Sequence, residues 1–476
     1  RAQLLAGMGA DVARPARHQH MVCHGSPPWL QGAEPASGGF VPVPEQGFKG
    51  RRLRAKLNKK HGGSMQQAMT RRAAIVGLGV LWLAGCAGGA PTPKGPSTVM
   101  RAEPNPGYDA WVAAFRPRAE TKGISPQTYD MAFRSAGFLP GVIERDRNQT
   151  EFTRSLEDYL AIAASEERVS KGRAALRAQG PVLEAIAARY GVEPQVVVAV
   201  WGLESFYGER RGDVPVIAAL STLAYDGRRG AFFEQQLVAA LRILQNGDTT
   251  PPRMIGSWAG AMGHTQFIPT SYLEYAVDFT GDGRRDIWSD DPTDALASAA
   301  AYLARSGWVT GQPWGVEVVL PPGFPMAQTG RGNRRSPADW AALGVRDMAG
   351  RPVPDYGPSA ILAPAGPQGP AFMIFANFAV IARYNNAESY VIGVGHLSDR
   401  LAGGPPIRAG FPPDAQGMTI ADRQELQRRL TAAGFDTEGS DGVIGARTRA
   451  AISAYQQANG LAVTGEPSVD LLNRLR

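Results

Sequence analysis

One carboxylate stands at the end of an otherwise apolar run: Glu204, in residues 194–208, PQVVVAVWGLESFYG. Apolar residues from 196 to 203 would cover every face of a helix, so the helix that carries Glu204 is expected to be buried. Pro194 suits a first helical position and Gly208 a left-handed stop. A carboxyl emerging there beside Trp201, Phe206 and Tyr207 loses hydration, which disfavours its charged form and raises its pKa toward proton donation at neutral pH. Glu204 is the candidate catalytic acid. The alternative is a helix-end glutamate that reaches solvent.

A second cluster could hold a cation. Asp278, Thr280, Asp282 and Asp286 occupy positions 1, 3, 5 and 9 of a loop with Gly283 at position 6, the pattern of an EF-hand, and Arg284 at position 7 would offer its backbone carbonyl. Ser289 stands at position 12, where such loops carry a bidentate Glu, so closure must come from elsewhere. Asp290 and Asp291 are competing ligands. A peptidase or amidase would need a zinc set or a nucleophilic thiol, yet after residue 68 there are only His264 and His396, and no Cys follows Cys86.

Patterning also gives the elements that must position these residues. The chain has 476 residues and a formal charge of +7. Residues 1–68 hold 10 Lys+Arg against 3 Asp+Glu, whereas residues 69–476 hold 40 of each, so the basicity belongs to the leader and argues for no nucleic-acid partner. The leader shows no sustained period, and no fold is expected for it. Residues 69–85 read as a signal peptide: Arg71 and Arg72, an apolar run too short for a membrane anchor, then small residues before Cys86. Translation would then begin at Met69 or Met65. With Cys23 and Cys86 as its cysteines the chain has no disulfide to rely on, and residues 86–106 read as a tether.

Residues 107–401 are patterned as a mainly α domain, with apolar residues three and four apart and breaks at Gly123, Gly141 and Gly180. A strand is expected at 316–320, and helix again from 338 and between 371 and 401. Residues 402–416 are a Gly- and Pro-rich linker. Residues 417–476 form a small three-helix unit, with Leu426 and Leu430 on one helix, Ala451, Ile452 and Tyr455 on another, and a turn at 440–442.

Four motifs, WGLESFYG, LSTLAYDGRR, GAMGHTQFIPTSYLEYAVDFTGDG and NFAVIARYN, in this order, resemble the lytic murein transglycosylases of the membrane-bound B type. The resemblance implies a lysozyme-like fold around a glycan groove and one catalytic Glu, Glu204. It implies glycan contacts from Ser257, Gln266, Tyr384 and Asn385, and closure of the acidic loop by Asp294, which could otherwise serve as a helix N-terminal Asp. Calcium there would be structural, with no cofactor for catalysis. LAGC at 83–86 resembles a lipobox, which implies lipid on Cys86 and a periplasmic protein anchored to the outer membrane. DGVIGARTRAAISAYQ and GLAVTG resemble the type 1 peptidoglycan-binding domain. The implied activity is cleavage of the bond between N-acetylmuramic acid and N-acetylglucosamine in peptidoglycan with 1,6-anhydro ends, by a monomer. A hydrolysing muramidase using Asp213 or Asp226 as second carboxylate, and a noncatalytic wall-binding lipoprotein, are the alternatives.

Overall fold

The computed structural model describes residues 100–148 and 154–476. The leader, the signal segment and Cys86 lie outside them. Helices begin where the sequence supplies a proline or a capping hydroxyl. Before the Glu204 segment come α1 (Pro106–Thr121), α2 (Pro126–Phe133), α3 (Pro140–Arg147), α4 (Leu156–Ala163), α5 (Glu166–Ala178) and α6 (Gly180–Tyr190). Ser125, Ser155 and Ser165 each accept a backbone N–H of the first turn that has no partner within the helix. The break expected at Gly180 falls beside it, at Gln179 between α5 and α6, and the one expected at Gly141 falls before Pro140. Both glycines stand in first turns beside Pro140 and Pro181, where a missing N–H costs no intrahelical bond.

The Glu204 helix is α7 (Pro194–Ser205), opened by Pro194 and buried on every face over residues 196–202. It is followed by α8 (Val216–Asp226), α9 (Gly230–Gln245) and α10 (Pro269–Tyr275), where α9 packs on both α8 and α10. Next is α11 (Thr293–Arg305), which packs on α7 together with α5 and α6. After α12 (Pro337–Ala342) and α13 (Ala376–Tyr384), α14 (Glu388–Leu401) returns to pack on α7, α4 and α5. The return of α14 brings the end of the domain onto the Glu204 helix. No helix among the described residues is long and apolar enough to cross a membrane.

Two antiparallel sheets interrupt the helices. A short pair joins β1 (Val214–Pro215) to β2 (Ile255–Gly256), and a four-stranded sheet has the order β4-β3-β6-β5, from β3 (Gly315–Val319), β4 (Arg346–Asp347), β5 (Ala360–Leu362) and β6 (Ala371–Ile374). Gly315 and Ala360 both stand opposite Ile374. The strand expected at 316–320 is β3, but the helix expected from 371 is wrong over its first residues. All four residues of β6 are buried, so the strand shows no alternation to mark it. The sheet encloses its own core, built on Val318, Trp340, Ile361 and Met373.

The C-terminal unit consists of α15 (Ile420–Ala432), α16 (Ala446–Ala458) and α17 (Val469–Arg474), packed on Met418, Leu426, Leu430, Ile452, Tyr455, Leu471 and Leu472. A capping box between Thr419 and Asp422 starts α15. One turn later Arg423 is buried and reaches out of the unit to Glu157 (2.9 Å) and Asp158 (2.8 Å) of α4, and to Asp414 (2.7 Å) in the preceding connection. Three carboxylates around one guanidinium tie the small unit to the large one. Each needs the others, because a buried charge without its partner is costly.

Candidate active site

Glu204 is the last residue but one of α7, and the backbone at the helix end is strained. Phe206 (φ 51°), Tyr207 (φ 59°) and Gly208 (φ 86°) are all left-handed. The first two are aromatic residues in a conformation that costs L-residues about 1–2 kcal/mol each. Side-chain contacts hold them there. Tyr207 Oη donates to Arg168 O (2.7 Å), and its ring lies over Gly202, where a Cβ would come within 2.8 Å of it. Ser205 Oγ donates to His264 O (2.5 Å) and accepts from Gly208 N (3.0 Å). Trp201 Nε1 donates to His264 Nδ1 (3.2 Å), which leaves the imidazole proton on Nε2 to meet Ser289 O (2.7 Å). Burial pushes the His264 pKa down, so the ring is a neutral structural bridge.

Chain order puts Trp201, Phe206 and Tyr207 beside the carboxyl, and in the structure these rings also fix the helix end. Phe206 lies under the cations of Arg168, Lys171 and Arg210. Two phenols from the far end of the domain reach Glu204. Tyr390 of α14 donates its phenol proton to Glu204 Oε1 at 2.6 Å. Tyr384, the last residue of α13, is near enough for its phenol to feel the Glu204 charge, and its Oη donates to Thr265 O (2.5 Å). Burial pushes the Glu204 pKa up to about 8, against a smaller lowering by the Tyr390 hydrogen bond. At neutral pH this carboxyl holds its proton and can give it away. No other carboxylate is among the groups that set its pKa. Asp226 is paired with Arg147 (2.6 Å), and Asp213 is exposed.

The remaining glycan candidates are built into the same frame. Ser257 Oγ accepts from Ala259 N (3.3 Å) and Ala261 N (3.0 Å), fixing the turn after β2. Gln266, left-handed at φ 52°, donates to Arg211 O (3.1 Å) and Gly263 O (2.8 Å). Asn385 Oδ1 accepts from Ala387 N (3.0 Å) at the entry to α14. Each satisfies backbone groups and still keeps one polar function without a protein partner among the described residues: the Ser257 hydroxyl proton, Gln266 Oε1 and Asn385 Nδ2. Sequence patterning does not single out Tyr390. Its only signal is a polar-tipped aromatic opening the buried run 390–398.

In the acidic loop, carboxylate oxygens of Asp278, Asp282 and Asp294 lie within 4.8 Å of one another. Asp294, in the first turn of α11, accepts Phe279 N (2.9 Å), Thr280 N (3.0 Å) and Asp286 N (3.0 Å), and burial pushes its pKa up. Thr280 Oγ1 reaches Asp278 (3.3 Å), and Arg284 N is held by Asp282 (2.9 Å). The structure does not bring Asp286 into the cluster. It caps Trp288 and Ser289 and pairs with Arg253 (3.0 Å). Asp291 caps α11 and Asp290 pairs with Arg211. Three carboxylates this close repel unless a cation or protons intervene, and an all-oxygen donor set fits a hard cation such as calcium.

A family model for the transglycosylase SLT domain matches residues 107–399. The chain belongs to that family. Behind its SLT domain, residues 419–475 match the model of a peptidoglycan binding domain. The SLT-domain chain is 34% identical over 215 residues to membrane-bound lytic murein transglycosylase B of Escherichia coli, covering 45% of this chain and 58% of that protein. It thus spans little more than half the length of that curated relative. SltB3 from Pseudomonas aeruginosa, solved with NAG-NAM-pentapeptide and with NAG-anhNAM-pentapeptide, is 47% identical over 78% of this chain and all of the other, with TM-scores of 0.64 and 0.63. The Escherichia coli lytic transglycosylase Slt35 in complex with calcium is 28% identical over 63% of this chain and 93% of the other, with a TM-score of 0.54.

Proposed function

We propose that this chain is a lytic transglycosylase that cleaves the β-1,4 bond between N-acetylmuramic acid and N-acetylglucosamine in peptidoglycan and leaves 1,6-anhydromuramyl ends. The observation that carries this reading is one carboxyl, Glu204, that accepts from Tyr390 and has no second carboxylate acting on it, with burial holding its pKa up. Hydrolysing glycosidases usually work with two, about 5–10 Å apart. Glu204 gives its proton to the glycosidic oxygen as the bond to C1 breaks, and the substrate's N-acetyl group stabilises the developing cation. The ionised Glu204 then takes the proton of the C6 hydroxyl as that oxygen bonds to C1. Capture by an attached hydroxyl is favoured over capture by free water because its ends are already together. Ser257, Gln266 and Asn385 hold the glycan through the polar groups they leave free, and Tyr384 shapes the wall beside Glu204. The relative solved with an anhydro-sugar ligand supports the product type. Mass spectrometry of products from purified sacculi tests it: anhydro ends are expected, and reducing muramic acid as the main product would make the enzyme a hydrolase.

In the same proposal the acidic loop holds calcium through Asp278, Asp282 and Asp294, with Thr280 and the Arg284 carbonyl completing the shell and Asp286 outside it. The calcium complex of Slt35 supports this. The ion orders the loop and takes no part in bond cleavage. Calcium at a hundred times its dissociation constant should raise Tm by roughly 3–5 °C. Asp282→Ala should remove the rise; identical melting with and without calcium in the native chain would take the metal away.

The C-terminal unit holds peptidoglycan strands near the groove, and lipid on Cys86 anchors the protein at the outer membrane facing the periplasm. Cys86→Ala should shift the protein from the membrane fraction to the soluble one. Equal partition of both forms would refute the anchor.

A further inference from the structure

His264 grips the end of α7 with both its backbone and its ring. Its carbonyl accepts from Ser205 Oγ (2.5 Å), and its Nδ1 accepts from Trp201 Nε1 (3.2 Å). Trp201 and Ser205 are four residues apart and so share one side of the helix, and Glu204 stands between them in the chain. The imidazole also lies against the left-handed turn that follows, because a Cβ on Gly208 would come within 2.5 Å of Nδ1. Through Nε2 the ring meets Ser289 O (2.7 Å), and His264 N donates to Ile287 O (3.1 Å). The next residue, Thr265, offers its carbonyl to Tyr384 Oη (2.5 Å), and Gln266 comes after it. One short segment therefore holds the end of the Glu204 helix, the end of α13 and a proposed glycan contact in register.

This grip works in one protonation state. A neutral imidazole has one donor and one acceptor nitrogen, and both are used here; a second proton would sit on Nδ1 and face the indole N–H, donor against donor in a buried place. The charges around the ring come from two sides. Arg211, in the connection after α7, holds Nη1 at 3.3 Å from Nε2, while Asp290 and Asp286 of the acidic loop act in the opposite sense. Asp290 is already paired with Arg211 and Asp286 with Arg253. Glu204 keeps its proton until about pH 8, so α7 brings no carboxylate charge to the ring at lower pH. We propose that His264 is a positioning residue for Glu204, holding the end of α7 while neutral and releasing it on taking up a proton. This rests on the reading that Glu204 is the catalytic acid. A single carboxyl that gives its proton first limits activity on the alkaline side only, and His264 adds the acid limb.

The test compares two variants of the full chain on sacculi. His264→Leu, which cannot accept from Trp201, should lower kcat roughly ten- to hundredfold with little change in KM, because a small misplacement of the acid is enough. His264→Asn puts an amide oxygen where Nδ1 accepts and cannot take up a proton. It should recover most of that kcat and flatten the acid limb of the pH profile, whose midpoint in the native enzyme should lie below about 6.5, the ordinary histidine value. An acid limb unmoved in His264→Asn overturns the proposal, as does a loss in His264→Leu that falls on KM alone. A second measurement needs no turnover. The Trp201 indole N–H resonance, assigned with Trp201→Phe, should shift between pH 7 and pH 4 in the native chain and stay fixed in His264→Asn. A resonance that moves in neither protein, or equally in both, overturns the proposal even where His264→Leu fails to fold. If the native chain cleaves no strands, the proposed activity fails, and the indole titration still decides whether His264 holds the helix end.

Discussion

Glu204→Gln is expected to lower turnover of sacculi by roughly a thousand- to ten-thousandfold, the upper range for a general acid–base group, because the same carboxyl serves both steps. Binding to sacculi should persist, since the C-terminal unit is untouched. The variant should also be more stable than its parent at neutral pH. Burial raises the Glu204 pKa to about 8 in the folded chain, above its ordinary 4.5. The folded form therefore keeps a proton that the unfolded form releases. The stability this gives is fully present below about pH 4.5 and is lost as pH rises toward 8, by about 1.4 kcal/mol per unit at most. Gln has no such slope. Unfolding at pH 4 and pH 7 checks it: the two proteins should match at the lower pH and diverge at the higher. Divergence at pH 4 would mean that the substitution acts through packing.

The catalytic helix is legible in the sequence because its signals are local. Pro194 marks its start, and apolar residues on all faces require burial, whatever surrounds it. The cover over the carboxyl is not legible. Trp201, Phe206 and Tyr207 adjoin Glu204 in the chain, but the phenol that donates to its carboxyl comes from Tyr390, 186 residues downstream. The acidic loop shows the same limit. Its spacing marks Asp278, Thr280 and Asp282, but whether Asp286 joins them depends on Arg253, an ion pair that spacing does not encode. β6 reads as helix because a strand buried on both faces loses the alternation that identifies strands. Arg423 looks like any polar helix residue until α4 brings Glu157 and Asp158 to it.

Tyr390→Phe should separate positioning from packing at the centre of the site. The phenol is buried, and its own pKa is held well above 10 by burial and by the Glu204 charge, so it stays a donor throughout the working pH range. Its 2.6 Å hydrogen bond favours the ionised form of Glu204 and opposes the effect of burial. Removing the hydroxyl leaves burial unopposed, and the Glu204 pKa moves further above 8. The acid then parts with its proton less readily, and the carboxylate left after the first step is less well held when it must accept the C6 proton. A charge-assisted hydrogen bond contributes about 1.5–3 kcal/mol, so kcat should fall roughly ten- to hundredfold with little change in KM. The pH profile carries the sharper signature. Activity of the native enzyme should decline as Glu204 ionises, and in Tyr390→Phe this alkaline limb should move to higher pH even as the maximum falls. A lower maximum on an unmoved limb would reduce Tyr390 to a packing residue, because Phe preserves the ring and changes only the proton that reaches Glu204.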